Sequence, residues 1–496
     1  MGEIKKQSIA SSMFQVIGLV FSSVQLLIIY PALLRPDQLG IIRLFIDLSF
    51  IAAPVFLVGS SATFVKFYFQ LSKSIQEVNK LKVFALFWNL LGFVFFSSLL
   101  FIFLPIVEGW MVGRSPEIVP LLIYVPILGL IVSLFQLFKA FEQAHYKIQR
   151  ANFLEQVLTR VLLILLAFII SYFSYDYTQV VIGVVVAHSA MTVVLIFMHL
   201  RDFPEERFLI SNWDFKKTIN KEFVFYSLFI FLIAVTSGIV IKLDTWMLSS
   251  MIGLEAVGIY AIALQLGVLI EFPKRAINQS VIPTLAKEWA TNNMVEIESI
   301  YKKSSLVQLI LGGLIFCLIF VNIDSFYKII PNGDLYSSGK WVMFFIGLGK
   351  WFDVAAGANI EILQLSPYFK HSFWIRLSLL VLAVVFNLIF IPIYGIAGAA
   401  IATALTFMVN NLILSVLVYA ILKIQPFSIQ TIKALVIILI CLGLTLSLPE
   451  LNSPYFDILM RSSFYAILAI SSLYYLKVSE DLISIVSRIV KPIRKN

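Results

Sequence analysis

Fourteen apolar stretches long enough to cross a bilayer, joined by short connections, constrain this chain more than any other feature. They run over roughly 8–34, 41–65, 83–106, 117–138, 151–172, 179–199, 223–250, 255–273, 304–323, 341–364, 373–392, 395–422, 434–449 and 455–476. Most lie near the ~20 residues that a helix needs to span a ~30 Å hydrocarbon core. Backbone groups in lipid must be satisfied within the segment, and solid apolar runs lack the alternation of a transmembrane barrel, so the spans are helices. The expected fold is all-α, a polytopic membrane protein with about 14 transmembrane helices. Composition closes off a soluble domain: 60% of residues are hydrophobic and 13% charged, 44 are Phe, and mean hydropathy is +0.95.

The first stretch follows Lys5 and Lys6 but is too long for a signal-peptide core, so it is expected to be retained, with the mature chain starting near Met1. Cys317 and Cys441 both fall in apolar spans and read as buried small hydrophobes, neither a disulfide nor a metal site.

Lys and Arg accumulate in short cytoplasmic loops, which tests the span assignment. With both termini cytoplasmic, 28 of the 37 Lys and Arg fall in inner loops and tails, Lys82 and Lys274 among them, and six fall outside: Arg35, Arg43, Arg114, Lys328, Lys340 and Arg461. One miscounted span would destroy this asymmetry. The net charge of +9 is thereby explained by topology and anionic lipid contact, and nucleic acid is not an expected partner.

The most polar stretch, at 201–223, divides the chain. It suggests an N-terminal six-helix half at 1–200, a cytoplasmic linker at 201–222, a C-terminal six-helix half at 223–422, and a terminal helix pair with a basic tail at 423–496. GVVVAHSAMTVV from Gly183 in the sixth span parallels GAAIATALTFMV from Gly398 in the twelfth. Six helices return the chain to its starting side, so the halves would form a parallel repeat.

The second half carries a resemblance to a known family. IKLDTWMLSSMIGLEAVGIYAIALQL at 241–266, VIPTLAKEW at 281–289 and NLIFIPIYGIAGAAIATAL at 387–405 resemble the polysaccharide flippases of the multidrug/oligosaccharidyl-lipid/polysaccharide exporter superfamily. The likeness is especially to the O-antigen, or Wzx-type, and capsule-repeat flippases of bacteria. The shared features are an Asp late in the seventh span, the Gly253, Val257, Gly258 and Tyr260 pattern, and a Tyr-Gly-Ile-x-Gly-Ala-Ala opening to the twelfth. The resemblance implies a MATE-like fold and an undecaprenyl-diphosphate-linked oligosaccharide as substrate. It places the chain in a bacterial inner membrane, with other glycan-assembly proteins as partners. Independently, Gly253 and Gly258 suit a tight turn, and Gly395, Gly398, Ala399, Ala400 and Ala402 offer a small-residue face for close helix packing. Pro54, Pro126 and Pro273 are expected to kink their helices.

Ionisable residues at membrane depth cost roughly 2.5–3.5 kcal/mol each on insertion scales, so they face partners or water. Arg160, Lys242 and Lys350 lie about nine residues, ~13 Å, from the ends of their spans, and His188 reaches a similar depth. As cavity cations they suit a diphosphate: Arg as a fork, Lys as a point charge. The competing structural reading pairs Lys350 with Asp353, three residues along one helix face. Lys242 and Asp244 are two apart and cannot share a cavity, so each requires another partner. Among the buried carboxylates, Asp244, Asp353, Asp47 and Glu361 are the candidates for coupling to H+ or Na+, with Glu271 a fifth buried acid. Asn387, Asn410 and Asn411 suit either sugar binding or bonds between helices.

The sequence holds no nucleotide loop, metal cluster or nucleophile constellation, so no enzymatic activity, catalytic residue, metal or organic cofactor is expected. The expected function is translocation of the lipid-linked, anionic oligosaccharide by alternating access, in contact with membrane lipids. The alternatives are a MATE-type multidrug/cation antiporter and, less favoured, a polytopic glycan polymerase.

Overall fold

The computed structural model describes residues 2–71, 74–111, 113–173, 176–204 and 221–479. Most of the expected linker and the basic tail therefore lie outside the described residues. Everything described is helix or connection. Among the described residues, thirteen helices are long and apolar enough to cross a membrane, or fourteen with the bent pair Gly333–Ala355 and Asn359–Leu365 taken as one span. All fourteen expected spans have a counterpart. The protein is a multi-pass membrane protein, and side chains such as Phe101, Ile102, Phe197 and Ile467 present an apolar surface to lipid.

The chain forms two compact units, Met1–Ala261 and Ile262–Asn496. In the first, α1 (Gly2–Val24) continues through a π-helical turn (Gln25–Ile29) into a last turn (Tyr30–Leu33). There follow α2 (Pro36–Leu57), α3 (Ser60–Leu71), α4 (Ile75–Met111) and α5 (Tyr124–Ala144). α6 has three pieces, Ile148–Phe153, a π-helical turn Leu154–Leu158, and Thr159–Phe173; α7 is Tyr177–Asp202 and α8 is Lys221–Met251. Local chemistry sets several of these starts. Pro36 opens α2, where its missing N–H costs nothing, and Asp176 and Gln179 form a reciprocal cap at the start of α7. α2 is central: it packs on α5, α8 and α4. Phe64, Phe67, Phe84, Phe138 and Phe141 fill the core between α3, α4 and α5.

α9 (Leu254–Ala290) carries the chain from the first unit into the second. The second unit continues with α10 (Met294–Val321), α11 (Ile323–Ile329), α12 (Lys340–Ala355), α13 (Asn359–Leu365), α14 (His371–Tyr394), α15 (Ile396–Leu422), α16 (Ile429–Leu446) and α17 (Pro454–Tyr475). α15 packs on α12 and α14, and α10 packs on α12 and α16.

The glycine and small-residue motifs have clear geometric causes. Gly253 has φ +139°, and a Cβ on Gly258 would stand 2.0 Å from the Pro36 carbonyl oxygen, so α9 meets α2 backbone to backbone. Gly398, Ala399, Ala400 and Ala402 are buried, and a Cβ on Gly349 of α12 would meet the Ala404 Cα of α15 at 2.6 Å. The sharp bend is not at a proline. α12 and α13 meet at 44° across Ala356, Gly357 and Ala358, with Gly357 at φ +68°, whereas α9 runs as one helix through Pro273 and Pro283.

Candidate functional site

Asp47 anchors a polar centre in the first unit. It is buried on α2 at 2% exposure, and Arg43, one turn earlier, donates from Nε to its Oδ2 at 2.9 Å. From α8, Lys242 Nζ pairs with Asp47 Oδ1 at 2.5 Å and Thr245 Oγ1 donates to Oδ2 at 3.1 Å. The carboxylate is thus shared by two cations and a hydroxyl from two helices. Asp244, facing the other way as the two-residue spacing requires, accepts from Tyr260 Oη at 2.6 Å.

These groups open onto two adjoining cavities. One, of about 190 Å³, is lined by Gln25, Tyr30, Arg43, Asp47, Arg160 and Lys242, among others. The other, of about 260 Å³, is lined by Gln136, Glu155, Gln156, Arg160, His188 and Thr192, with Phe50 and Phe135 as aromatic walls. Ile46, Phe50, Arg160 and Leu163 belong to both, so Arg160 stands at the junction. Both π-helical turns serve this space: Gln25 comes from the first, Glu155 and Gln156 from the second. A π turn adds a residue to one turn of helix and so redirects side chains, a device common at functional sites.

Arg160 makes no ion pair among the described residues, and its Nε is buried without a hydrogen-bond partner. The lining carboxylates are already neutralised, Asp47 as above and Glu155 by Lys139 of α5. The cavity therefore carries a surplus of positive charge centred on Arg160. His188 directs Nδ1 at the Val184 carbonyl, 2.9 Å away. That bond fixes Nδ1 as the protonated nitrogen and leaves Nε2 as the acceptor on the cavity side.

In the second unit, α9 presents Glu271, Lys274 and Asn278 along one stripe. Lys350 of α12 donates to Glu271 at 2.7 Å, and Lys274 donates to Asp353 Oδ2 at 2.8 Å and to its carbonyl at 3.2 Å. Asn411 of α15 supplies Asp353 Oδ1 at 2.9 Å. Beyond the bend, Asn278 donates to Glu361 Oε1 at 2.8 Å. The alternative Lys350–Asp353 pairing is thus replaced by two pairings across helices. A pair within one helix is worth ~0.2–0.5 kcal/mol, whereas leaving either buried charge without a partner costs several, so the bonds to α9 prevail. Asn411 bonds within the helix bundle, to Asp353 and Asn359, and Asn387 bonds back to the Ala383 carbonyl. Asn410 accepts from Ser378 at 3.2 Å.

Arg160, Lys242 and the imidazole of His188 thus gather at one polar centre with Asp47, while Lys350, Asp353 and Glu361 belong to the other unit's network. Arg43, expected outside, lies within α2 as a cavity residue. Lys274 and Lys82, expected in inner loops, are likewise helical: α9 and α4 extend beyond their apolar cores. Lys82 is fully buried and donates to His199 Nε2 at 2.9 Å, and His199 Nδ1 in turn meets Glu142 Oε1 at 2.9 Å.

The family profile described as polysaccharide biosynthesis protein matches residues 4–289, more than half of the chain. The chain belongs to that family. Among solved structures, a lipid II flippase MurJ in an inward closed conformation is similar in fold, with a TM-score of 0.71 at 16% identity over 95% of this chain and 99% of that one. An inward-facing multidrug resistance MATE family transporter of the MOP superfamily gives 0.63 at 17% identity, over 84% and 98%. Its outward-facing counterpart gives 0.55 at 17%, over 85% and 96%. No curated protein matches the chain in sequence. The family therefore shares its architecture, in this member, with transporters of the MOP superfamily, as the MATE-like expectation required.

Proposed function

We propose that the protein is a flippase moving undecaprenyl-diphosphate-linked oligosaccharide units from the cytoplasmic to the outer face of a bacterial inner membrane by alternating access. One observation carries the reading: a membrane-embedded cavity whose acids are all neutralised and whose Arg160 has no ion-pair partner among the described residues. An unpaired guanidinium at this depth is expensive, and a planar fork held open suits diphosphate oxygens. Gln136, Gln156, Thr192 and His188 on the same walls, with Phe50 and Phe135, offer hydrogen bonds and ring faces to the first sugars. The family membership and the fold shared with a lipid II flippase support a lipid-linked substrate. In this reading both termini are cytoplasmic, the substrate's lipid tail stays in the bilayer, and no covalent chemistry takes place. A cationic drug is the less favoured cargo, because Asp47 and Glu155 are occupied by Arg43, Lys242 and Lys139.

The test is gene deletion in the native host, followed by determining which membrane face holds the accumulated lipid-linked oligosaccharide. Cytoplasmic-face accumulation, rescued by the wild type and not by Arg160→Ala or Lys242→Ala, is the expected result. Accumulation of single units on the outer face would mean a polymerase. The absence of a lipid-linked glycan phenotype would mean a drug exporter.

A further inference from the structure

We propose that Glu361, at the broken span of the second unit, is the site that binds and releases a coupling proton. The inference deepens the translocation reading and rests on it for the purpose of the proton, but the site itself stands on its own geometry.

The five acids at membrane depth differ in their surroundings. Asp47, Asp353 and Glu271 each hold a cation: Lys242 with Arg43, Lys274, and Lys350 with Arg275. Asp244 is held by the Tyr260 hydroxyl. Glu361 has an amide on Oε1, while its Oε2 is buried with no hydrogen-bond donor and no ion pair among the described residues. The chain of bonds that reaches it runs from Gln308 Nε2 to Asn278 Oδ1 at 2.9 Å, then from Asn278 Nδ2 to Glu361 Oε1 at 2.8 Å. Every donor in this chain points toward the carboxylate. Its far end, Gln308 Oε1, is also buried and lacks a donor. The cluster is short of donors, and protonating Oε2 turns an unmatched acceptor into a donor.

The charged and titratable groups around Glu361 are Lys274 on α9, Asp353 on α12 and Tyr301 on α10. Lys274 is committed to Asp353 through both its carboxylate and its carbonyl. That commitment gives the proton a mechanical effect. Lys274 and Asn278, one turn apart on α9, grip the two sides of the 44° bend, Asp353 before it and Glu361 after it. Neutralising Glu361 removes a negative charge from beside Lys274 and changes the grip on α13 while leaving that on α12. A metal cation fits less well, since an amide donor and an ammonium already face the carboxylates.

The experiment uses the full chain in lipid nanodiscs and proteoliposomes. Infrared difference spectra between acidic and neutral buffer should show a carboxylic-acid band that disappears in Glu361→Gln. Flipping of a fluorescently labelled polyprenyl diphosphate should respond to an imposed pH gradient, by up to about tenfold per pH unit for one proton exchanged per substrate. In Glu361→Gln that ratio should fall to about one. If Glu361→Gln fails to fold, Gln308→Leu should move the band's midpoint by about a pH unit, a tenfold change in proton affinity. A band that persists in Glu361→Gln, an unmoved midpoint in Gln308→Leu, or flipping driven by a Na+ gradient and indifferent to pH overturns the assignment. A band lost in Glu361→Gln with no flipping by the wild type leaves the proton site standing and sinks the flippase reading.

Discussion

Asp47 accepts from Arg43, Lys242 and Thr245, and this sharing decides how each residue responds to substitution. Removing one member of a buried pair leaves the other uncompensated, which typically costs 3–5 kcal/mol. Asp47→Asn should therefore lower stability by about 3 kcal/mol, read as a fall in Tm in nanodiscs. Adding Lys242→Met should recover part of that loss, because the stranded ammonium goes with it. If the double variant is as unstable as the sum of the two singles, the pair is not coupled. Arg160→Ala should behave differently: with no ion pair to break it should leave stability within about 0.5 kcal/mol of wild type, and Tm nearly unmoved, while transport is lost. A large fall in Tm would make Arg160 a structural tie. The Lys82, His199 and Glu142 line gives the opposite contrast, since all three are almost fully buried. Lys82→Met should cost about 3 kcal/mol and Lys82→Met with Glu142→Gln less.

Close contacts between helices depend on particular glycines. Gly258→Ala sets a methyl 2.0 Å from a backbone oxygen and should cost roughly 1–3 kcal/mol or block folding, whereas Gly443→Ala meets nothing within 4 Å and should be neutral or slightly stabilising. Thermal unfolding of the two variants checks both. The helices were legible in the sequence because a run of apolar residues is a local property. Their true ends were not, because a hydropathy window closes at the first charge while the helix itself continues. The sequence sets Lys82 and Lys274 in loops for that reason. Partners were legible only within one helix, where spacing supplies distance. That is why Lys350 was matched with Asp353, while its bond to Glu271, 79 positions away, left no trace in spacing. The bend after α12 leaves no such mark, because it rests on Gly357 fitting against Ser305, with no proline.

For the molecule as a whole, the charge asymmetry of the loops makes a prediction about orientation that the fold leaves open. A cysteine at Ser337, exposed before α12, should react with a membrane-impermeant maleimide in intact cells, and one at Asn292, in the turn after α9, only after permeabilisation. The native Cys317 and Cys441 are buried and should stay silent. The reverse pattern would invert the proposed topology and with it the direction of transport. The π turns extend this to how such a molecule diversifies. Each is one residue more than a regular turn would hold, so losing a single codon within Leu154–Leu158 would restore the ordinary winding. Because the extra residue is absorbed within one turn, Arg160 and everything beyond it would keep its face, while the side chains of the turn itself, Gln156 among them, would be re-aimed. The chemistry offered to a substrate here is set by the number of residues as much as by their identity, and a new preference can arise by deletion without any side chain being replaced.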